Sequence, residues 1–458
     1  MRPHAIALWL LACSSAEDPP PPPDGPASRV DWVRGGDDQL TIGIVGPVGQ
    51  LWLDGPDGQR TVEVSGSEVV ASSLAVGTWT VRVAANDPGL TQRVGPRLER
   101  IAHVPLLAAA DVKGDGDRLV VAGGAGEGAA TATVFDVSDP TAPGVLWTLK
   151  DLGQCRDAVL DGRYLYLALE CGCAGDPEAR EAWDEVGLRI VDLEADGGPA
   201  VVGELGVPDI GGIHNITRSG DVLYLSDTFY DAVQVVDMSA PGAPLAVGSW
   251  SPTDGIVHDQ TLHPHPDGDR LLAATWKGLG VLDLTDPWQP TSVWEAPLPV
   301  RAVHQAWPLD EEHVLLTSET AGGHLTVWRL PEAADTASVA IQVGEANPFP
   351  AGMIHNVAAH GDRAYAAWYR NGLVALDVTD PTQPWVIGVH ATGDLGPEPV
   401  PADGVFVGAW GVWVDPRSPL QGPHFVAVSD SHAGLQLFHA WPEVVWYPRD
   451  DSNVRPTD

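Results

Sequence analysis

The sequence is poor in positive charge. It has 25 lysine and arginine residues against 62 acidic ones, a formal net charge of −37, and lysine occurs only at positions 113, 150 and 277. A surface of that charge repels phosphate backbones, which argues against nucleic acid as a partner. Beyond the first residues, no stretch is long and apolar enough to span a bilayer. No Ser-His-Asp order, glycine-rich phosphate loop or strong zinc motif stands out.

Residues of turns and of aromatic packing are abundant instead. The chain of 458 residues contains 51 glycines, 41 prolines and 18 tryptophans. This composition suits many short strands joined by turns, and no convincing amphipathic helix is found. The sequence therefore predicts an all-β protein.

The N-terminus has the pattern of an export signal. Residues 1–13 read MRPHAIALWLLAC, with a cation at Arg2, a short apolar run and then Cys13. This resembles the lipobox of bacterial lipoproteins, which implies a signal peptide over 1–13 and a lipid on Cys13. The alternative is a buried N-terminal strand with a chance cysteine. By the same analogy Ser14, which follows the cysteine, favours the outer membrane of the cell envelope.

Two segments follow the signal. Residues 14–28 contain five consecutive prolines with acidic flanks, which predicts a stiff, solvated tether that holds a domain away from the membrane. Residues 29–90 contain strand-like runs such as QLTIGIVG and GTWTVRVA. We expect them to form a small β-sandwich or Ig-like module.

An internal repeat dominates the remainder. An apolar strand ending in Asp, a short turn, Pro and a second strand recur roughly 45–60 residues apart. Five clear copies lie at 132–143, 188–199, 233–244, 279–290 and 372–384, and two degenerate ones at 325–337 and 435–445. Each copy has two more strand-like runs upstream, so the seven units predict a seven-bladed β-propeller over 91–445. Residues 97–105 are expected to close the ring as the outer strand of the last blade, and 446–458 form a tail.

These units resemble the LVIVD repeat family, whose blades carry a strand like VVDVSDP followed by Pro and another strand. The closest stretch is HNVAAHGDRAYAAWYRNGLVALDVTDPTQPWVIGV at 355–389, and the resemblance spans roughly residues 97–440. There is also a distant similarity to selenium-binding proteins, some of them methanethiol oxidases. That analogy implies a copper-type metal centre.

Aligning the blades on their Gly-Asp turns places one set of residues at the start of each innermost strand. Because those strands line the axial channel, equivalent positions should form a ring. Four consecutive blades contribute a histidine, and the ring positions are Ala110, Arg156, His214, His258, His304, His355 and Trp410. The residues that follow the histidines are Asn215, Asp259, Gln305 and Asn356.

The second strand of each blade returns to the same rim. Carboxylates near its end are Glu170, Asp227, Glu319 and Asp430. Imidazole nitrogens with carboxylates behind them suit a transition metal such as Cu or Zn, with His214, His258, His304 and His355 as ligands. The alternatives are a ligand-binding mouth without metal and a structural set of water-bridged histidines. Arg156 could bind an anionic group or pair with Asp157 or Glu170.

Three further cysteines cluster in the second blade. A turn at Asp161-Gly162 brings Cys155 near Cys171 or Cys173, and an oxidising exterior favours a disulfide between Cys155 and one of them. A Cys-His metal site or a reactive thiol is the alternative.

Three functional hypotheses remain open on the sequence. The first is a membrane-tethered, non-catalytic propeller that binds a protein, glycan or small ligand at its histidine-rich mouth. The second is a transition-metal-dependent, oxidase-like enzyme that uses the ring of histidines. The third is a purely structural surface protein.

Overall fold

The computed structural model describes residues 29–441, apart from 36–39, 46–49, 56–57, 65–67, 72–76, 83–89, 95–97, 124–129, 171–185, 332–338, 394–405 and 421. The predicted signal peptide with Cys13, the tether and the tail lie outside the described residues. The chain divides into two compact units, residues 1–97 with 442–458 and residues 98–441. The described residues contain strands and no helix long and apolar enough to cross a membrane.

The N-terminal unit contains two antiparallel sheets. One has the strand order β1-β2-β5 and the other the order β4-β3-β6-β7. The strands are β1 (Arg29–Gly35), β2 (Leu40–Val45), β3 (Gln50–Gly55), β4 (Gly58–Glu63), β5 (Glu68–Ala71), β6 (Gly77–Arg82) and β7 (Leu90–Val94). Leu51, Leu53 and Val81 are fully buried. This unit extends past the predicted boundary at residue 90, since β7 pairs with β6.

The second unit consists of seven four-stranded antiparallel sheets, which confirms the predicted all-β, seven-bladed propeller. Blades one to three are formed by β9 (Ala109–Asp115), β10 (Arg118–Gly123), β11 (Ala132–Asp136), β12 (Gly144–Leu149), β13 (Cys155–Asp161), β14 (Tyr164–Leu169), β15 (Gly187–Asp192), β16 (Ala200–Leu205), β17 (Ile213–Ser219), β18 (Val222–Asp227), β19 (Ala232–Asp237) and β20 (Leu245–Trp250).

Blades four to six follow the same order. They are formed by β21 (Gln260–His263), β22 (Arg270–Ala274), β23 (Gly278–Asp283), β24 (Thr291–Pro297), β25 (Val303–Pro308), β26 (His313–Ser318), β27 (Leu325–Arg329), β28 (Ile341–Ala346), β29 (Val357–His360), β30 (Arg363–Trp368), β31 (Gly372–Asp377) and β32 (Trp385–His390).

The seventh blade joins the two ends of the ring. Its strands are β33 (Ala409–Val414), β34 (His424–Asp430), β35 (Gly434–Ala440) and β8 (Leu98–Val104). The register of β8 on β35 runs from Leu435 opposite Val104 to Ala440 opposite Leu98. The predicted closure by residues 97–105 is thus confirmed. Strand β8 pairs with the edge of β35 that would otherwise be open, so a strand from the start of the ring completes the last blade.

The burial pattern of the strands in each repeat reflects the packing of neighbouring blades on one another. The third strand β19 is buried at every residue except its last, whereas the outer strand β20 alternates between exposed and half-buried positions. Packing of one sheet on the next covers both faces of the inner strands. The Asp-Pro turns are Asx turns, because Asp139, Asp286 and Asp380 each accept a hydrogen bond from the backbone N–H two residues further on.

Candidate functional site

A β-bulge lies at the ring position of several innermost strands. The pairing register shifts between Cys155 and Asp157, between Ile213 and Asn215, between Val303 and Ala306, and between Ala409 and Val412. In a regular strand successive side chains point to opposite faces, and a bulge changes that direction locally. The bulges therefore aim the ring residue at the channel mouth.

The structure brings the four predicted histidines together. His214, His258, His304 and His355, called the histidine arc below, form a continuous row of tilted rings. The centroid distances along the row are 4.2, 4.3 and 4.0 Å. Burial increases along the row, from a His214 side chain that is 17% exposed to a His304 residue that is 0% exposed. The arc thus opens to solvent at its His214 end.

Aromatic rings flank the arc. Trp276 stacks on His258 with a centroid distance of 4.9 Å, and Trp410 lies 4.6 Å from His355. Tyr369 meets His355 edge to face at 5.2 Å and donates a hydrogen bond to Glu319. Trp276 and Tyr369 have φ values of 64° and 29°. Bulky residues rarely adopt such positive φ values, and strained positions of this kind cluster at functional sites.

Three histidines of the arc are oriented through the same ring nitrogen. The Nδ1 atom of His214 lies 2.9 Å from Glu170 Oε2, that of His258 lies 3.2 Å from Asp259 Oδ1, and that of His355 lies 2.8 Å from the Trp410 carbonyl. An oxygen acceptor on one nitrogen sets the tautomer and presents the other nitrogen as a ligand. Metal-binding histidines in proteins are oriented in this way.

His304 differs from the other three. Both of its ring nitrogens are buried and have no hydrogen-bond partner among the described residues. Carboxylate oxygens lie just beyond hydrogen-bond range on both sides, with Asp259 Oδ2 3.9 Å from Nδ1 and Glu319 Oε2 3.8 Å from Nε2. Burial lowers the pKa of His304 well below its ordinary value, and burial likewise lowers the pKa of His355 to about 4. Both imidazoles are therefore neutral at pH 7, the form that binds metal.

His214 and Glu170 form an ion pair at the open end of the arc. Burial disfavours both charges, but the attraction between them raises the pKa of His214 to about 9 and lowers the pKa of Glu170 to about 2. Thr228 Oγ1 and Arg156 Nε also donate hydrogen bonds to Glu170, at 2.6 and 3.2 Å. Of the two alternatives for Arg156, the structure shows pairing with Glu170.

We expect Glu170→Gln to lower the pKa of His214 in the metal-free protein. The substitution removes the negative charge that opposes the effect of burial on the imidazole. An NMR titration of the imidazole resonances measures the shift. Thr228→Val is the matched control, because it removes one hydrogen bond to Glu170 and keeps the carboxylate, so its effect should be smaller. An unchanged His214 pKa in Glu170→Gln would contradict the ion pair.

The residues after the ring positions form a second layer that links the blades. Asp157 accepts hydrogen bonds from Asn215 Nδ2 at 2.9 Å and from the Ile216 N–H at 3.0 Å. Gln305 accepts one from the Val357 N–H at 2.7 Å. The predicted mouth residues Asp157 and Asn215 are thus used in contacts between neighbouring blades. Asn356 takes part as well, since its Nδ2 lies 3.2 Å from Asp111 Oδ2.

Lys113 and Asp111 in the first blade belong to this layer. The Lys113 ammonium donates hydrogen bonds to the Asp157 carboxylate and, at 2.9 Å, to the Ile216 carbonyl. Asp111 approaches the last blade so closely that a Cβ atom at Gly411 would lie 2.1 Å from its Oδ1. Burial and the nearby Asp157 raise the pKa of Asp111 from 3.8 to about 8.

Because of Asp111, the free energy of unfolding should fall as pH rises from about 4 to about 8. In this range the folded protein holds a proton on Asp111 that the unfolded chain has released. The contribution of Asp111 to the free energy of unfolding is therefore complete at low pH and is lost as the pH rises to the folded-state pKa of about 8. Asp111→Asn mimics the protonated form, and we expect it to be more stable than the parent at about pH 8 and similar at about pH 4. Urea denaturation at both pH values tests this. Equal stability of the two proteins at the higher pH would contradict it.

Two predicted rim carboxylates lie elsewhere. Asp227 accepts hydrogen bonds from the backbone N–H groups of Gly211, Phe229 and Tyr230. Asp430 accepts them from Thr392 Oγ1 and from the N–H groups of His432 and Ala433. Both stabilise turns. In the pairing of the two innermost strands, the residue before the ring position faces Asp227 in the third blade, where Ile213 pairs with it. In the second and fifth blades the equivalent partners are Leu169 and Ser318, which directly precede Glu170 and Glu319. Asp227 thus stands one position earlier than those two glutamates, and Asp430 stands one position earlier in the same way. A one-residue offset along a strand turns the side chain to the other face.

Sequence reasoning missed three residues that contact the arc or its supporting groups, and they are Thr228, Trp276 and Tyr369. Thr228 and Tyr369 stand one place beyond the second strand of their blades, as the predicted Glu170 and Glu319 do, whereas Trp276 stands two places beyond. Glu170, Thr228 and Glu319 are equivalent by their backbone hydrogen bonds, since each donates to the residue before the innermost strand. This recurrent position was the available signal. For Lys113 no repeat signal exists, because it occurs in one blade only.

Cys155 is buried and forms no disulfide with another described residue, and its Sγ lies 3.2 Å from the Asp157 carbonyl oxygen. Cys171 and Cys173 lie outside the described residues, so the disulfide stays a prediction. Burial raises the pKa of Cys155 far above its ordinary value, which makes it a poor nucleophile.

The donor set of the arc fits a transition-metal ion. The ligand atoms form two groups, and within each group all of them lie within 4.8 Å of one another. The first group is His214, His258, Asp259 and His304, and the second is His304, Glu319 and His355. Imidazole nitrogens with one or two carboxylates suit Zn and Cu. An ion in either group would give a partner to one of the His304 nitrogens, which have none among the described residues.

Comparison with known proteins supports the fold. Similar solved structures include the β-propeller domain of Cps50 (Swd1) from Myceliophteria thermophila, at 14% identity, covering 75% of this chain and 100% of that one with a TM-score of 0.51. A protein from Lactobacillus plantarum has 13% identity, coverages of 72% and 98%, and a TM-score of 0.51. The WD40 β-propeller domain of Doa1 has 11% identity, coverages of 74% and 96%, and a TM-score of 0.51. No curated protein matches the chain.

The protein is a β-propeller, a fold that serves as a scaffold for binding ligands or proteins. Residues 351–392, which include the whole sixth blade, match the model of the LVIVD repeat. The chain is a β-propeller that carries an LVIVD repeat in its sixth blade. This confirms the resemblance seen in the sequence, at the blade where it is strongest.

Proposed function

We propose that this protein is an exported, lipid-anchored β-propeller that binds a transition-metal ion, copper or zinc, at the histidine arc. The observation that carries the proposal is His304, which is fully buried between two carboxylates and whose ring nitrogens have no hydrogen-bond partner among the described residues. A buried polar atom without a partner is costly and rare in native proteins. A bound cation gives one of these nitrogens a partner and removes that part of the cost.

The chemistry of the neighbouring groups supports the same proposal. Glu170 and the Trp410 carbonyl hold two of the other histidines through Nδ1 and leave Nε2 for a ligand. The side chains of His214 and Arg156, at the open end of the arc, are partly exposed to solvent. The metal would supply Lewis acidity or, for copper, redox chemistry. The propeller supplies the donors, their orientation and a mouth for the molecule that reaches them.

Metal binding by the purified full-length chain tests the proposal. After removal of metal with a chelator, the protein is titrated with Zn²⁺ or Cu²⁺ and followed by calorimetry. We expect binding that His258→Gln weakens at least tenfold and that His313→Gln leaves unchanged. His313 is the matched control because it lies at the opposite end of β26 from the arc and pairs with Asp310 on a turn. Absence of binding to both metals would refute the proposal.

The membrane anchor is tested separately. We expect the parent protein to fractionate with membranes of its native host and Cys13→Ser to be found in the soluble fraction, because the lipid requires the thiol of Cys13. Metabolic labelling with a fatty acid should mark the parent only. Equal fractionation of both proteins with membranes would contradict lipidation at this residue.

A further inference from the structure

We infer that His304 bridges two metal ions and that the arc is a dinuclear centre. This inference rests on the proposed function, since it concerns the same histidines. It differs in assigning two ions instead of one, with His304 Nδ1 bound to the first and Nε2 bound to the second.

Two donor groups share this one residue. His214, His258 and Asp259 form one group with His304, and Glu319 and His355 form the other. Asp259 Oδ2 faces Nδ1 at 3.9 Å, whereas Glu319 Oε2 faces Nε2 at 3.8 Å. Each nitrogen of the ring therefore faces its own carboxylate, and the two carboxylates belong to donor groups with different histidines.

A single ion leaves the site incomplete. The two nitrogens of an imidazole point in divergent directions, so a single ion can bond only one of them. The second nitrogen of His304 would then remain buried without a partner among the described residues. The other histidines do not have this problem, because their Nδ1 atoms are already bound to oxygen. His304 is thus the one member of the arc that is built to bind on both sides.

The distances are compatible with two sites. Ligands at about 2.0–2.1 Å from a tetrahedral ion lie about 3.4 Å from one another. The separations of 3.8 and 3.9 Å around His304, and of 3.8 Å between His355 Nε2 and Glu319 Oε1, exceed that value by about half an ångström. Small side-chain rotations close such a gap.

Charge and protons also balance. A neutral His304 carries one ring proton, which leaves to solvent when both nitrogens bond to metal, and the ring becomes an imidazolate. The protonated His214 likewise releases its Nε2 proton to solvent when that nitrogen bonds to the first ion, and it keeps the Nδ1 proton shared with Glu170. The negative charges of the imidazolate, Asp259 and Glu319 offset three of the four positive charges of two divalent ions. Copper(II) and zinc(II) are the ions that this donor set favours.

Copper titration of the metal-free, full-length protein tests the inference. Equilibrium dialysis with elemental analysis counts the bound ions, and electron paramagnetic resonance reports whether they are coupled. We expect two copper ions per chain and a Cu(II) signal that decreases when the second ion binds, because an imidazolate bridge couples the two spins. His355→Gln should bind one copper with an undiminished signal, and His313→Gln should behave like the parent.

The possible failures are distinguishable. One copper per chain in the parent, or two coppers with additive and uncoupled signals, would overturn the bridge and leave the metal site of the proposed function intact. No bound copper or zinc would overturn both. His304→Leu serves as a second variant, and loss of coupling in it together with two bound coppers in the parent supports the bridge.

Discussion

Replacement of His304 by leucine is expected to weaken the binding of copper or zinc at least 100-fold without destabilising the metal-free protein. Loss of a group that only orients a ligand already costs 10–100-fold in metal affinity, and His304 is proposed as a ligand itself. Leucine has a volume close to that of histidine. It also removes two buried nitrogens that have no hydrogen-bond partner among the described residues.

The effect on stability has an unusual sign for a fully buried residue. A buried unsatisfied polar group costs about 1–3 kcal/mol, so its replacement by an apolar side chain should raise the free energy of unfolding of the metal-free protein by about 1 kcal/mol. Loss of the tilted ring contacts with His258 and His355 offsets part of this gain. Urea denaturation in the presence of a chelator measures the difference. A loss of several kcal/mol would mean that His304 is a structural residue, and the proposed role would be wrong.

Replacement of Lys113 by methionine is expected to lower the free energy of unfolding by about 3–5 kcal/mol. Lys113 is the cation beside the Asp157 carboxylate, whose side chain is 2% exposed. Asp111 and Asp259 are further buried acids of the same layer. Methionine keeps the length of the side chain and removes its charge, which leaves Asp157 buried without its ion-pair partner.

A second substitution separates the charge from the packing. Asp157→Asn in the Lys113→Met background should restore most of the lost stability, because the amide oxygen can still accept the Ile216 N–H and no buried charge remains. Denaturation of the four proteins of this double-mutant cycle gives the coupling energy. A loss below about 1 kcal/mol for Lys113→Met alone would show that the pair is solvated and contributes little.

Much of the propeller could be predicted because each blade repeats the same physical problem. A four-stranded sheet cannot bury both faces alone, so the VVD-type strand and the Asp-Pro turn recur wherever a blade is needed. The same periodicity identified the four histidines, which are up to 141 positions apart between His214 and His355 (355 − 214). It also identified β8 as the closing strand.

The details of the site depend on features that periodicity does not show. The bulges at Arg156, His214 and His304 change the direction of side chains without leaving a mark in composition. The sequence groups Asp227 and Asp430 with Glu170 and Glu319, because it fixes the end of a strand only to within one residue. A shift of one residue is enough to move a side chain from the mouth of the propeller into a neighbouring loop. A lysine occupies this position in the first blade only, so comparison of the repeats could not reveal the role of Lys113.

Elemental analysis of the natively purified protein measures directly whether the histidine arc holds a metal. We expect near-stoichiometric or higher copper or zinc in the parent, and loss of that metal in a combined His214, His258 and His304 substitution that still folds. A parent protein that is purified without either metal, and that takes up neither on exposure to them, would refute metal binding at the arc.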